Sequence, residues 1–246
     1  MNSTIKQLHE RKSVRVFEQR EIPLEHKQMI LSSALQAPTA GNQQLYTIID
    51  VTDPAIKQAL VKTCDNQPFI ADASLVLIFC ADCKKWYDAY LSCGCEPRKP
   101  GVGDLMLAVS DANVAAQNAV TAAHALGIGS CYIGDIMENC ELQRKLLKLP
   151  PYVFPAAMLV FGYPTKQQLE RRKPERVRID QIVHENVYRE MDGEQLRQMW
   201  EPRCGGKCYE DWMRAFCQRK YNSDFSKEMT RSVEAYLADF DLSGSK

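Results

Sequence analysis

One helix constrains the sequence more than any other segment. Residues 105–127 read LMLAVSDANVAAQNAVTAAHALG. Ala115, Ala119, Ala122 and Leu126 recur along one side and predict a narrow face of small residues. Gly127 suits the position just past a helix end. A face so narrow admits another backbone at close range.

The segments around this helix supply a sheet. ASLVLIFCA (73–81) and VFPAAMLVFGYP (153–164) are nearly continuous apolar runs, which predicts buried strands. LYTIIDV (45–51) is a strand by its β-branched and aromatic content, and GSCYIGDI (129–136) reads as a strand or turn. Helices are predicted over STIKQLHER, with Ser3 as N-cap, over 22–37, with Pro23 in the first turn, over 54–64 and over ENCELQRKLLKLP. In the second of these, Ile30, Ala34 and Ala37 share a face. Residues 82–103 read as a short helix and then a Gly/Pro loop. Strands and helices interleave, so the expectation is a sheet covered by helices. From about 165 the chain turns polar and basic. CYEDWMRAFCQRK and SDFSKEMTRSVEAYLADF are helical there, the second capped near Ser223. The expected division is a main domain over 1–190 and a mainly helical extension over 191–246, packed on that domain or on a partner chain.

Charge excludes some partners. Lys plus Arg number 31 and Asp plus Glu number 31, which gives no argument for nucleic acid or a membrane surface. No apolar run approaches the roughly 20 residues that span a bilayer. MNSTIKQLHERK lacks an apolar targeting core, so the expected location is the cytoplasm. The ten cysteines are then expected to be reduced.

Four stretches could carry chemistry. In RKSVRVF an extended backbone places Arg11, Ser13 and Arg15 on one side and Val14 and Val16 on the other. The apolar pair would anchor the segment. The polar side could grip a phosphate, since guanidinium forks match phosphate oxygens; a solvated charged edge is the commoner use of such a pattern. Arg171, Arg172, Lys173 and Arg176 form a cationic run. Cys80, Cys83, Cys93 and Cys95 lie close enough in sequence to hold zinc or an iron–sulfur centre. The C-x-C second pair weakens that reading, and the alternative is small buried hydrophobes and surface thiols. The four histidines are scattered, and His124 reads as structural. GIGSCYIG follows a helix, so it is not the strand-then-helix fingerprint of a dinucleotide fold.

The order of these segments carries a resemblance: a short helix, R-x-S-x-R, a helix, SSALQAPTAGNQQ, a strand, DNQPFIADASLVLIF, the alanine-rich helix, LGIGSCYIGDI, LLKLPPYVFPAAMLVFGYP and a basic segment. From residue 3 to about 190 the chain resembles the FMN-dependent nitroreductase/flavin reductase family. The resemblance implies an α+β fold with a mixed, largely antiparallel sheet and an intertwined homodimer with FMN at the subunit interface. Arg11 and Ser13 match positions that hold the FMN phosphate, with Lys12 between them in the same cofactor-binding stretch. Arg15 matches a basic residue beside the N1/O2 edge of the flavin. Pro38, Thr39, Ala40 and Asn42 match a loop that reaches the flavin from the other subunit. Asn66 matches an amide on the ring or ribityl chain. Ile133 and Gly134 match the turn whose backbone N–H faces flavin N5, and Lys173 and Arg176 match a basic pair near the phosphate.

The activity so implied is electron transfer from NADH or NADPH through FMN to a small organic acceptor such as a nitroaromatic, a quinone or a flavin. One pocket serves donor and acceptor in turn. Arg15 and Gly134 would be the catalytic positions, with no metal, nucleic acid or membrane involved. The homodimer has two further motives in the sequence. One is the small-residue face. The other is the set Trp200, Trp212, Phe216, Phe225, Tyr236 and Phe240, in a tail with no evident core. Two other readings stay open: dehalogenating or flavin-degrading chemistry on the same fold, and a cysteine-rich metal-binding or redox-sensing protein without turnover.

Overall fold

The computed structural model describes residues 1–240, so residues 241–246 of the expected extension lie outside the described residues. The described residues divide into two compact units, one of residues 1–171 with 228–240 and one of residues 172–227. The boundaries between these units fall at 171/172 and 227/228. The reason lies in the tail, whose last helix returns to the first unit.

The first unit opens with α1 (Ser3–Glu10). Its N-cap is Asn2, whose Oδ1 accepts from Ile5 N at 3.0 Å, so Ser3 is the first helical residue and not the cap. Next come α2 (Leu24–Leu35), β1 (Tyr46–Asp50), α3 (Pro54–Thr63) and the single turn α4 (Phe69–Asp72). β2 (Leu75–Asp82), α5 (Lys84–Ser92), α6 (Val102–Ala125), β3 (Gly129–Ile133) and α7 (Cys140–Leu147) follow, and β4 (Val153–Gly162) and α8 (Lys166–Glu170) complete this run. No described helix is long and apolar enough to cross a membrane.

The four strands form one sheet in the order β1-β2-β4-β3, every ladder antiparallel. Every residue of the two inner strands is buried, as their apolar runs require. Pro155 sits in inner strand β4, where its missing N–H would break a ladder. A bulge resolves this: Phe79 pairs with Ala157 and Cys80 with Pro155, so Ala156 is passed over.

α6 lies against β2 and β4 and packs on α2. Its alanine face is used within the chain: Ala108, Ala112, Ala115, Ala116, Ala119 and Ala123 are fully buried. Ala122 and Leu126 are only half-buried, so the buried stripe is turned from the one the sequence suggested. The small side chains let α6 approach the sheet and α2 at once. They give no motive for a partner chain.

The tail divides between the two units. In the second unit α9 (Gly193–Trp200) and α10 (Tyr209–Lys220) are short helices, and the rings of Trp212 and Phe216 stack at 4.9 Å. α11 (Asp224–Leu237) starts in that unit and ends in the first. Ser223 Oγ accepts from Ser226 N at its start. At its far end Tyr236 meets Phe154 edge-on at 5.1 Å and Phe240 meets Tyr152 at 5.5 Å. Both are fully buried, so these two aromatics complete the first unit's own core.

Candidate cofactor site

Residues 11–17 run along the free edge of β3. Ser13 forms a parallel bridge with Ser130, with Val14 N donating to Ser130 O at 2.9 Å, and Phe17 forms an antiparallel bridge with Pro164. The anchors are Val14 and Phe17, both buried, whereas Val16 is 47% exposed. Two glycines make the seats. Gly129 and Gly162 are cross-strand partners in the β3–β4 ladder. A Cβ on Gly129 would stand 2.7 Å from Val14, and one on Gly162 would stand 2.7 Å from Phe17. Only a bare backbone leaves room for both anchors.

With the anchors inserted, the polar groups take different stations. Lys12 Nζ donates to Leu169 O at 2.6 Å and to Arg171 O, so it ties the segment to the end of α8. The Arg171 guanidinium returns the contact by donating to Ser13 O. The Cys131 thiol lies beneath the segment and donates to Tyr132 O at 3.4 Å; burial pushes its pKa up, opposed by the nearby positive charges of Arg15 and Arg11. Arg15 is exposed, and its backbone N donates to Gln168 Oε1 at 3.4 Å. Arg11 is half-buried. Its Nη1 is shut off from solvent and has no acceptor among the described residues. A buried charged donor without a partner is costly, and an anion would satisfy it. Arg11, Lys12 and Ser130 line a cleft of about 100 Å³ at this edge. Arg11 is thus half-buried and Arg15 exposed on the one strap, while Lys12 already has carbonyl partners.

The APTAGN loop is built on one carboxylate. Asp111, buried on α6, accepts from Ala40 N and Leu45 N, each at 3.1 Å, and from Thr39 Oγ1. Thr39 Oγ1 in turn accepts from Gln44 N at 2.7 Å. Gly41, Asn42 and Gln44 are in the left-handed region, and Pro38 and Asn42 are exposed. Asp111 and the Gly127 end of α6 are about 20 Å apart along the helix, so the loop and the Arg11 group are held at different places on the first unit. Asp111 was not among the residues that the sequence singled out.

Beyond β3 the chain turns at Ile133 and Gly134 into a 3₁₀ turn over Gly134–Met137. Ile133 is buried and Gly134 is exposed. A Cβ on Gly134 would meet nothing nearer than Met137 Cε at 4.0 Å, so the outer side of the turn is bare. Asn66 is exposed, in a left-handed turn that follows α3, the helix that contacts the Gly134–Met137 turn. Lys173 and Arg176 belong to the second unit, where they line a cavity of about 670 Å³ with Arg172, Arg178 and Arg203.

The cysteines do not form a thiolate cage. Cys80 and Cys83 are buried and Cys93 and Cys95 exposed. Burial pushes Cys80 and Cys83 each up to about 12. Among the described residues no group of three or more His, Cys, Asp or Glu side chains is placed to hold a metal ion.

Fold and edge together define a class: an α+β protein with an antiparallel sheet whose edge carries an N-terminal strap bearing Arg11, Lys12 and Arg15. Comparison with known proteins narrows it. The model of the nitroreductase family matches residues 8–163. An oxygen-insensitive NADPH nitroreductase of Salmonella typhimurium is 34% identical over 194 residues, 78% of this chain and 77% of that protein. An FMN reductase [NAD(P)H] of Bacillus subtilis is 27% identical over 238 residues, 96% of this chain and 91% of that protein. Among solved structures, NfrA1 of B. megaterium superposes with a TM-score of 0.82 at 29% identity, over 96% of this chain and 98% of that one. The chain belongs to the nitroreductase family.

Proposed function

We propose that this protein is an FMN-dependent oxidoreductase that passes electrons from NADH or NADPH to a small organic acceptor. The observation that carries the reading is the buried Arg11 Nη1, a charged donor that has no acceptor among the described residues, on a side chain that lines the cleft at the β3 edge. The family match and the relatives named NADPH nitroreductase and FMN reductase support it. The thiol environments argue against the cysteine-based reading.

FMN, when bound, supplies the chemistry that accepts a hydride and delivers electrons. The residues of the chain position it. Arg11 and the Ser13 hydroxyl would hold the phosphate through charge-assisted bonds. Arg15, exposed on the same strap, would place positive charge beside the ring edge that gains negative charge on reduction. The bare Gly134 turn would let a flat ring approach its backbone N–H, and Asn66 would supply an amide to the ring or ribityl chain. Pro38, Thr39, Ala40 and Asn42 would serve the cofactor bound to the other subunit of a homodimer. Exposed apolar residues on the first unit, including Leu24, Met29, Met106 and Leu107, offer surface for such an assembly.

One experiment tests both parts. Purified protein is measured by light scattering, and flavin is then released from the same fraction by heat and identified by chromatography. FMN from a dimeric fraction that oxidises NAD(P)H with nitroaromatics or quinones is expected. FAD as the main species, no flavin, or a fully active flavin-loaded monomer would overturn the corresponding part.

A further inference from the structure

Next to the Gly134 turn lies a carboxyl that pairs with no cation among the described residues. Glu138 follows the turn directly, is 6% exposed, and its Oε1 is buried without a hydrogen-bond partner. The charged groups acting on it come from three elements and are all carboxylates: Asp135 in the turn itself, Asp65 after α3 and Glu228 on α11. The cations nearby are engaged elsewhere. Arg231 holds Glu228 and Glu141, and Arg144 pairs with Asp239. Burial and these three neighbours push Glu138 up to about 7.

The same stretch is clamped on both sides. Ser232 Oγ donates to Met137 O at 2.7 Å and accepts from Cys140 N at 2.9 Å. Glu228 Oε1 accepts from Asn139 N at 3.2 Å, and Asn139 Nδ2 donates to Thr63 O at 3.0 Å. The turn is thereby fastened to α3 and α11 around a carboxyl whose charged form would be repelled by Asp65 after α3 and Glu228 on α11.

We propose that Glu138 is a positioning residue for the Gly134 turn: as the neutral acid it lets the turn seat between α3 and α11, and its ionisation forces the turn away from that seat. The functional part rests on the reading above, in which this turn meets the flavin. The seating itself does not.

The sign of the pH effect follows from linkage. The folded chain holds the Glu138 proton more tightly than the unfolded chain does. This contribution to stability is full below the ordinary carboxyl range and is lost as pH rises through about 7. The test compares wild type with Glu138→Gln, which is neutral at every pH, and with Asp65→Asn, which removes one neighbouring charge at a left-handed position that asparagine tolerates. Flavin-free protein is melted across this pH range, and flavin-loaded protein is assayed for acceptor reduction. The wild-type melting temperature should fall with rising pH more steeply than that of Glu138→Gln. The wild-type kcat should drop by about tenfold across the same interval, in keeping with the cost of a misplaced contact, while Glu138→Gln keeps its low-pH rate. In Asp65→Asn the transition should move to lower pH. Equal melting slopes in wild type and Glu138→Gln, or an unmoved transition in Asp65→Asn, would overturn the proposal. A melting difference without any flavin binding would uphold the seating and defeat only the cofactor reading.

Discussion

The strap at residues 11–17 is held by shape. Val14 and Phe17 fill two hollows that exist because Gly129 and Gly162 carry no side chain. The loop at 38–44 is held by charge, since Asp111 alone collects two backbone N–H groups and a hydroxyl. The first arrangement tolerates changes of charge but no added volume. The second tolerates changes of volume at its exposed tip but no loss of one carboxylate. Both present residues assigned to the same cofactor, and they should fail in different ways.

Asp111→Ala should have the largest effect. It strands donors that now end on a buried acceptor, at about 1–3 kcal/mol each, so a loss of about 3 kcal/mol or more is expected in denaturant unfolding. A loss under about 1 kcal/mol would mean that the loop has other supports. Gly162→Ala comes next. Its Cβ would collide with the Phe17 ring, an overpacking that costs about 1–3 kcal/mol, and FMN affinity should fall with it as the strap is displaced. Unchanged affinity would show that the phosphate grip does not depend on the seat. The smallest structural effect belongs to the strap's own cations. Arg11→Ala should weaken FMN binding by about 10- to 100-fold, the equivalent of one charge-assisted hydrogen bond. Arg15→Ala should lower the flavin reduction potential with little change in affinity, measured by potentiometric titration. If Arg15→Ala only loosens FMN, the assignment to the ring edge fails.

The contrast also explains what could be read from the sequence. The Arg11–Ser13–Arg15 pattern was legible because all three residues lie within five positions. Val14 was assigned correctly to the anchor side and Val16 was not. A period of two assumes one continuous strand, whereas Ser13 and Phe17 bridge two different chain segments and the alternation breaks between them. The glycine seats were invisible, since each is defined by a side chain more than a hundred residues away. Asp111 did leave a signal. It stands one turn before Ala115, on the buried side of a helix rich in alanine, where a carboxylate needs donors from elsewhere. The sheet and its helices were readable from hydrophobic runs. The fate of the tail was not, because nothing local marks Tyr236 and Phe240 as partners of Phe154 and Tyr152.

That last pairing bears on how the protein is made. The rings that close the core beside β4 belong to residues 236 and 240, so a ribosome must finish the whole second unit before they emerge. Until then Phe154 and Tyr152 stand uncovered on a nascent chain whose sheet is already complete in sequence. Synthesis at about 5–20 residues per second leaves this interval open for several seconds. During that window the nascent chain presents an apolar surface that chaperones can hold and other nascent chains can stick to. The stretch from 172 to 227 thus acts as a built-in delay between drawing the sheet and sealing it.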